Sequence, residues 1–330
     1  ACFVWRLGDR WWGSARGSSL FRRGEPDLRR VVLVLVGAGL ALAEGRATRH
    51  HLAHWRDTET LFAYMVAQAP RAASLHWGLG YFLFDQGRYD EAVAEYSKAL
   101  AMDPNSADAP ENLGIVLARA GRMDEAIAYY ERRLRAQPDV PWTHNNLGLL
   151  LLMRNETDQA IAHFRRALEL EPDFARAYKN LGVALAGQGK ADEAIEAYRQ
   201  ALRIDPSFEG AHNSLGLELA RQGKLEEAVE HYRAALRLNP GLAMAYKNLG
   251  AALARLGRTE EAAAAYREAL RLEPADADAH YSLGLLLSRQ GRKDEAVAEY
   301  REALRINPAH ARARKALDTA LGRPEGSDMP

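Results

Sequence analysis

One cysteine, Cys2, is all that the 330-residue chain contains. An internal disulfide, a cysteine zinc site and a CxxC redox pair are therefore excluded. Net charge is absent too: 44 Lys and Arg stand against 44 Asp and Glu, which argues against bulk nucleic-acid binding. The chain has no GxxxxGK[ST], no GxSxG and no HExxH, which removes the P-loop, the nucleophile elbow and the zincin helix. The expectation is a chain that is not an enzyme, with no cofactor, no metal and no indicated small-molecule substrate. Long apolar runs are nearly lacking. Val31–Ala43 holds 13 residues without a polar side chain, and a helix of that length rises only about 20 Å against a hydrocarbon core of about 30 Å.

Hydrophobic residues make up 48% of the chain and charged residues 27%, a balance that folds rather than stays disordered. The zero net charge hides an asymmetry. Residues 1–72 carry 11 Arg and 6 acids, leaving 33 basic and 38 acidic groups in 73–330. The chain does not begin with Met, which points to a fragment or a processed product. Residues 1–30 form a basic segment containing Trp5, Trp11 and Trp12, and 31–45 form an apolar helix. Arg22, Arg23, Arg29 and Arg30 precede that helix. Three readings of it stand: a short membrane span lengthened by arginine snorkelling, a signal segment ending in Ala41-Leu42-Ala43, or a helix docked on the rest of the chain. If it spans, the arginine excess on its N-terminal side puts the C-terminal remainder of the chain outside the cytoplasm; otherwise a cytoplasmic location is expected. In 46–72, Asp57 is a plausible N-cap, and Leu61, Phe62, Met65 and Val66 share a helical face.

From Ala73 a unit of 34 residues recurs seven times: 73–106, 107–140, 141–174, 175–208, 209–242, 243–276 and 277–308. A fixed period of this size is the mark of a solenoid of helical hairpins. A Leu-Gly pair ends at Gly80, Gly114, Gly148, Gly182, Gly216, Gly250 and Gly284. Gly there and Ala early in the second helix let the helices approach closely, and an aromatic such as Tyr198 or Phe164 is expected to fill the space between units. Proline closes each unit, because it cannot continue a helix interior. A glycine suited to the left-handed cap separates the two helices, with Asn155 in that place in the third unit. Arg133 interrupts the small-residue pattern, and Pro110 stands where a large first-helix residue is usual. Residues 46–72 are expected to cap one end as a half-repeat, residues 309–321 to cap the other, and 322–330 to form a tail.

This pattern resembles the tetratricopeptide repeat over about 73–308. The resemblance implies an all-α solenoid, a right-handed superhelix whose first helices line a concave groove that binds protein or extended peptide. The sixth place of each unit from the second on reads Asn112, Asn146, Asn180, Ser214, Asn248 and Ser282. It is similar to the asparagine ladder of the nucleocytoplasmic O-linked N-acetylglucosamine transferases, which implies a row of groups holding a peptide backbone; a plain solvated row is the competing reading. The dicarboxylate clamp of chaperone-binding members needs Asn at the ninth place, where Tyr81, Leu149 and Val183 stand instead.

Histidines at 76, 144, 212 and 280 recur every 68 residues. Two units separate neighbours, on the order of 16–20 Å, so they cannot share a metal, and duplication of a two-unit segment explains them. His50, His51 and His54 lack a Cys, Asp or Glu to complete a set. Finally, an apolar segment followed by WRDTETLF at Trp55–Phe62 and then by repeats resembles the C-terminal part of transmembrane, repeat-containing O-mannosyltransferase-like proteins. Two functional expectations result: a membrane-attached protein-interaction scaffold, or the substrate-recognition region of a multi-span glycosyltransferase whose catalytic part is not in this chain.

Overall fold

The computed structural model describes residues 58–103 and 110–323. The basic segment 1–30, the apolar segment 31–45, His50, His51, His54 and Asp57 lie outside the described residues, as does most of the tail. Among the described residues the regular structure is entirely helical, in sixteen helices. They are α1 Thr58–Gln68, α2 Ala73–Asp85, α3 Tyr89–Met102, α4 Pro110–Arg119, α5 Met123–Ala136, α6 Pro141–Met153, α7 Thr157–Leu170 and α8 Ala175–Gly187. They continue as α9 Ala191–Ile204, α10 Glu209–Arg221, α11 Leu225–Leu238, α12 Ala243–Arg255, α13 Thr259–Leu272, α14 Ala277–Arg289, α15 Lys293–Ile306 and α16 Ala311–Leu321. None is long and apolar enough to cross a membrane.

The termination signals act as the sequence implies. Second helices stop two residues short of Pro138, Pro172, Pro206, Pro240, Pro274 and Pro308. Proline pushes its predecessor out of the α region, and Asp205 before Pro206 indeed has ψ 92°. Inside each hairpin the chain reverses through a left-handed residue. Gly189 has φ 76°, and Asn155, the one non-glycine in that region among the described residues, has φ 64°. Asn tolerates the left-handed well because its short polar side chain can bond locally.

Packing follows from the small residues. Ala160, Ala194 and Ala228, each early in a second helix, are fully buried, as are Ala167, Ala201 and Ala235 one face along. Gly182 shows why its place excludes a side chain: a Cβ there would sit 2.5 Å from Tyr198 Cε1. This adds to the sequence reading of the aromatics. Tyr198 lies over the glycine of its own hairpin while its phenol reaches Ser214 of the next, and Phe164 lies over Gly148. The ring takes the volume the glycine vacates, so each unit closes its own crossing before it stacks. Burial raises the phenol of the equivalent Tyr96 to about 12.

One continuous apolar core runs from Leu83 to Leu317. Each helix packs on its neighbours in sequence, and first helices of successive units also touch: α6 with α8, α8 with α10, α10 with α12. The first helices therefore lie along the inner curve of the stack.

A single helix packs on each end of the described stack, α1 on α2 and α16 on α15. On the N-terminal side the ring of Phe62 on α1 lies where a Cβ on Gly78 would be, 2.6 Å from Cε1, while Met65 is left exposed. At the other end α16 buries Leu317 and Asp318. Among the described residues no second helix brings a ring over Asp318, which stands in the glycine place. In unit two the described part of the first helix begins at Pro110. Between α3, α4 and α5 lies a cleft of about 540 Å³ walled by Val93, Leu100, Leu113, Leu117 and Tyr129.

Candidate functional site

The inner curve is lined by α2, α4, α6, α8, α10, α12 and α14. Four of the exposed large apolar side chains lie on these helices: Tyr81 (63%), Leu149 (38%), Met153 (60%) and Met244 (53%). Exposed apolar side chains on the lining of a hollow are candidates for contact with a partner.

Behind them runs the polar row. Asn146 and Asn180 are both buried. Asn180 Nδ2 donates to Asn145 Oδ1 at 3.0 Å, and Asn145 Nδ2 donates to Asn146 Oδ1 at 3.3 Å. Two units on, Asn248 Nδ2 donates to Asn213 Oδ1 at 3.2 Å. Ser214 hydrogen-bonds the Tyr198 phenol, and Ser282 donates to the Asp278 carbonyl at 2.8 Å. Asn112 falls on α4, its side chain outside those described. The amides thus link one first helix to the next. Capacity remains in the row: Asn146 Nδ2 is buried without a hydrogen-bond partner, which is costly unless something reaches it. Asn145 and Asn213 are the members that the sequence reading passed over. Their signal is recurrence at the fifth place of alternate units.

The recurring histidines occupy another face. Nε2 of His76, His144, His212 and His280 lies 3.2, 2.9, 3.2 and 3.2 Å from the carbonyls of Pro70, Pro138, Pro206 and Pro274. Their Nδ1 atoms find two kinds of partner across the hairpin. His76 and His280 meet Glu95 and Glu299 at 2.6 Å, while His144 and His212 meet Nδ1 of His163 and His231 at 2.9 Å. The second histidines were also missed from the sequence. Burial first, and the facing ring second, hold both His163 and His231 below the ordinary imidazole value. Among the described residues no three His, Cys, Asp or Glu are grouped to hold a metal ion.

No curated protein matches the chain. Among solved structures, pilF of Pseudomonas aeruginosa superposes with a TM-score of 0.58 at 21% identity, covering 63% of this chain and 95% of that one. A tetratricopeptide repeat protein from Parabacteroides merdae gives 0.54 at 16% identity, over 76% and 98%. YrrB, described as a TPR protein with an unusual peptide-binding site, gives 0.49 at 25% identity, over 57% and 96%. The first two show the fold alone. The join that resembles O-mannosyltransferase-like proteins lies outside the described residues up to residue 57. A general TPR repeat model matches residues 80–121, and proteins of this kind are typically scaffolds rather than enzymes. The model of the cilia and flagella-associated protein 70 C-terminal domain matches residues 105–316, and the chain belongs to that family of tetratricopeptide repeat proteins.

Proposed function

We propose that the chain is a protein-interaction scaffold that holds a segment of a partner protein in the hollow lined by its first helices. The observation that carries this reading is the exposure of Tyr81, Leu149, Met153 and Met244 on those helices. Apolar side chains of the partner meet that row, and its backbone meets the row from Asn112 to Ser282 where Asn146 still has an unused donor. Binding of an arrayed set of peptides to the full chain is the test. The Leu149→Glu, Met153→Glu double variant is expected to lose it. The Asn146, Asn180, Asn248→Ala triple variant reads the polar row separately, and unchanged affinity with intact helicity would remove that row from the site.

The apolar run Val31–Ala43 supports attachment of this scaffold to a membrane, with the repeats on the extracytoplasmic side. Release of all the protein from membranes by alkali would defeat the attachment and leave the scaffold reading intact.

A further inference from the structure

Charge is divided between the two layers of the stack. The inner helices α2, α4, α6, α8, α10, α12 and α14 carry seven basic side chains and five acidic ones. Glu218 is paired with Arg221 of its own helix at 2.8 Å, and Asp278 with Arg312 at 3.0 Å. Each of the outer helices α9, α11, α13 and α15 carries one acid more than its basic residues. The inner layer thus has a small basic excess in a chain whose formal charge is zero.

At its centre lies an unmatched lysine. Lys179 and Lys247 occupy the same place in units two apart. Lys247 Nζ is neutralised by Asp276, 2.6 Å away. Sixty-eight residues before Asp276 stands Phe208, so the carboxylate that Lys247 meets has no counterpart for the lysine of α8. Among the described residues Lys179 has no ion pair and no hydrogen bond through Nζ, and it is half-buried. Burial alone draws its ammonium below the ordinary lysine value. A half-buried cation without a counter-charge loses hydration and gains nothing in return. Next to it Asn180 bonds Asn145, and Asn145 bonds the Asn146 whose Nδ2 is unpartnered. A lone ammonium and an orphaned amide donor thus fall in one stretch of the hollow, both lacking an acceptor. Towards the C-terminal end Arg289 on α14 is exposed and unpaired among the described residues. Towards the N-terminal end Leu149 and Met153 are apolar and uncharged neighbours.

We propose that the segment held in the hollow is acidic, with a carboxylate on Lys179, further carboxylates toward Arg289, and an apolar side chain against Leu149 and Met153. The inference rests on the scaffold reading and names the chemistry of the partner at that same surface. A carboxylate supplies the acceptors that both Lys179 and Asn146 lack, and the pairing is stronger in a half-buried place than at an open surface.

The test uses the full chain and short labelled peptides of three kinds, acidic, neutral and basic, each with one Leu and one Phe, followed by fluorescence anisotropy. The acidic peptides are expected to bind, and more weakly as salt rises. Lys179→Glu is expected to weaken them by about tenfold or more, whereas Lys190→Glu, an equal charge change before α9 outside the hollow, leaves them unchanged. Lys179→Met guards against a folding artefact: it removes an uncompensated charge, so melting temperature holds or rises while acidic binding falls. Neutral or basic peptides binding as well as acidic ones, with Lys179→Glu silent, would overturn the acidic partner and leave the scaffold reading standing. Self-association abolished by Lys179→Glu, in place of peptide binding, would give the hollow to a second copy and likewise overturn the inference. Absence of binding by every class would remove both.

Discussion

Nδ1 of His144 lies 2.9 Å from Nδ1 of His163, and the other nitrogen of His144 faces the Pro138 carbonyl at 2.9 Å. A carbonyl can only accept, so Nε2 of His144 carries a proton and, in the neutral ring, Nδ1 accepts from His163. Protonating His163 sets it against that ring and against burial, which hold its value down. The folded value is thus below the ordinary imidazole value near 6.5, as it is for His231. The unfolded chain then binds more protons as pH falls below about 6.5, and stability is lost through that window toward the folded values. The urea midpoint is expected to fall between pH 7 and pH 5. His163→Glu with His231→Glu copies the pairs of His76 with Glu95 and of His280 with Glu299, and is expected to flatten the slope. Equal slopes in the two proteins would rule the pairs out as its source.

Gly182→Ala sets two effects against each other. Alanine in place of glycine favours a helix by about 1 kcal/mol. The new Cβ, however, meets Tyr198 at 2.5 Å, and overpacking costs about 1–3 kcal/mol. A net loss is expected in denaturant titration. A gain would mean that the ring moves aside freely.

At Asn155 the backbone conformation decides. With φ at 64°, Asn155→Ala is expected to lose about 1 kcal/mol, the scale of the left-handed penalty for an ordinary residue. Asn155→Gly is expected to be neutral or stabilising. Thermal melts of both variants check the order, and an alanine variant as stable as the glycine one would contradict it.

Arg133 is the one large side chain in a place where Ala99, Ala167, Ala201, Ala235 and Ala303 are fully buried. Replacing it with alanine restores the pattern of the other units, a kind of change that commonly stabilises by about 0.5–2 kcal/mol. Stability unchanged or lower would show that Arg133 does not limit the packing of this unit.

The register of the fold was legible because its signals are local. Pro206 stops α9, and Asn155 turns the third hairpin, each for reasons contained in a few residues. What escaped the sequence are pairings between helices. His144 and His163 are 19 residues apart and meet only because the hairpin closes. Asn180 and Asn145 meet only because one unit stacks on the next. Tyr198 could be read as buried, but not as covering Gly182 of its own unit, since a period does not say which neighbour a ring faces. The polar row was legible as a list of residues; its engagement with Asn145 and Asn213 was not.

The alternation of His144 and His212 with Lys179 and Lys247 also governs which changes of length the array accepts. Removing 175–208 alone would bring Asn145 beside Ser214 and break the amide link between neighbouring first helices. Removing 175–242 instead brings Asn145 beside Asn248, the same side chain in the same place. Shortening or lengthening therefore keeps its seams matched in steps of two hairpins, not one.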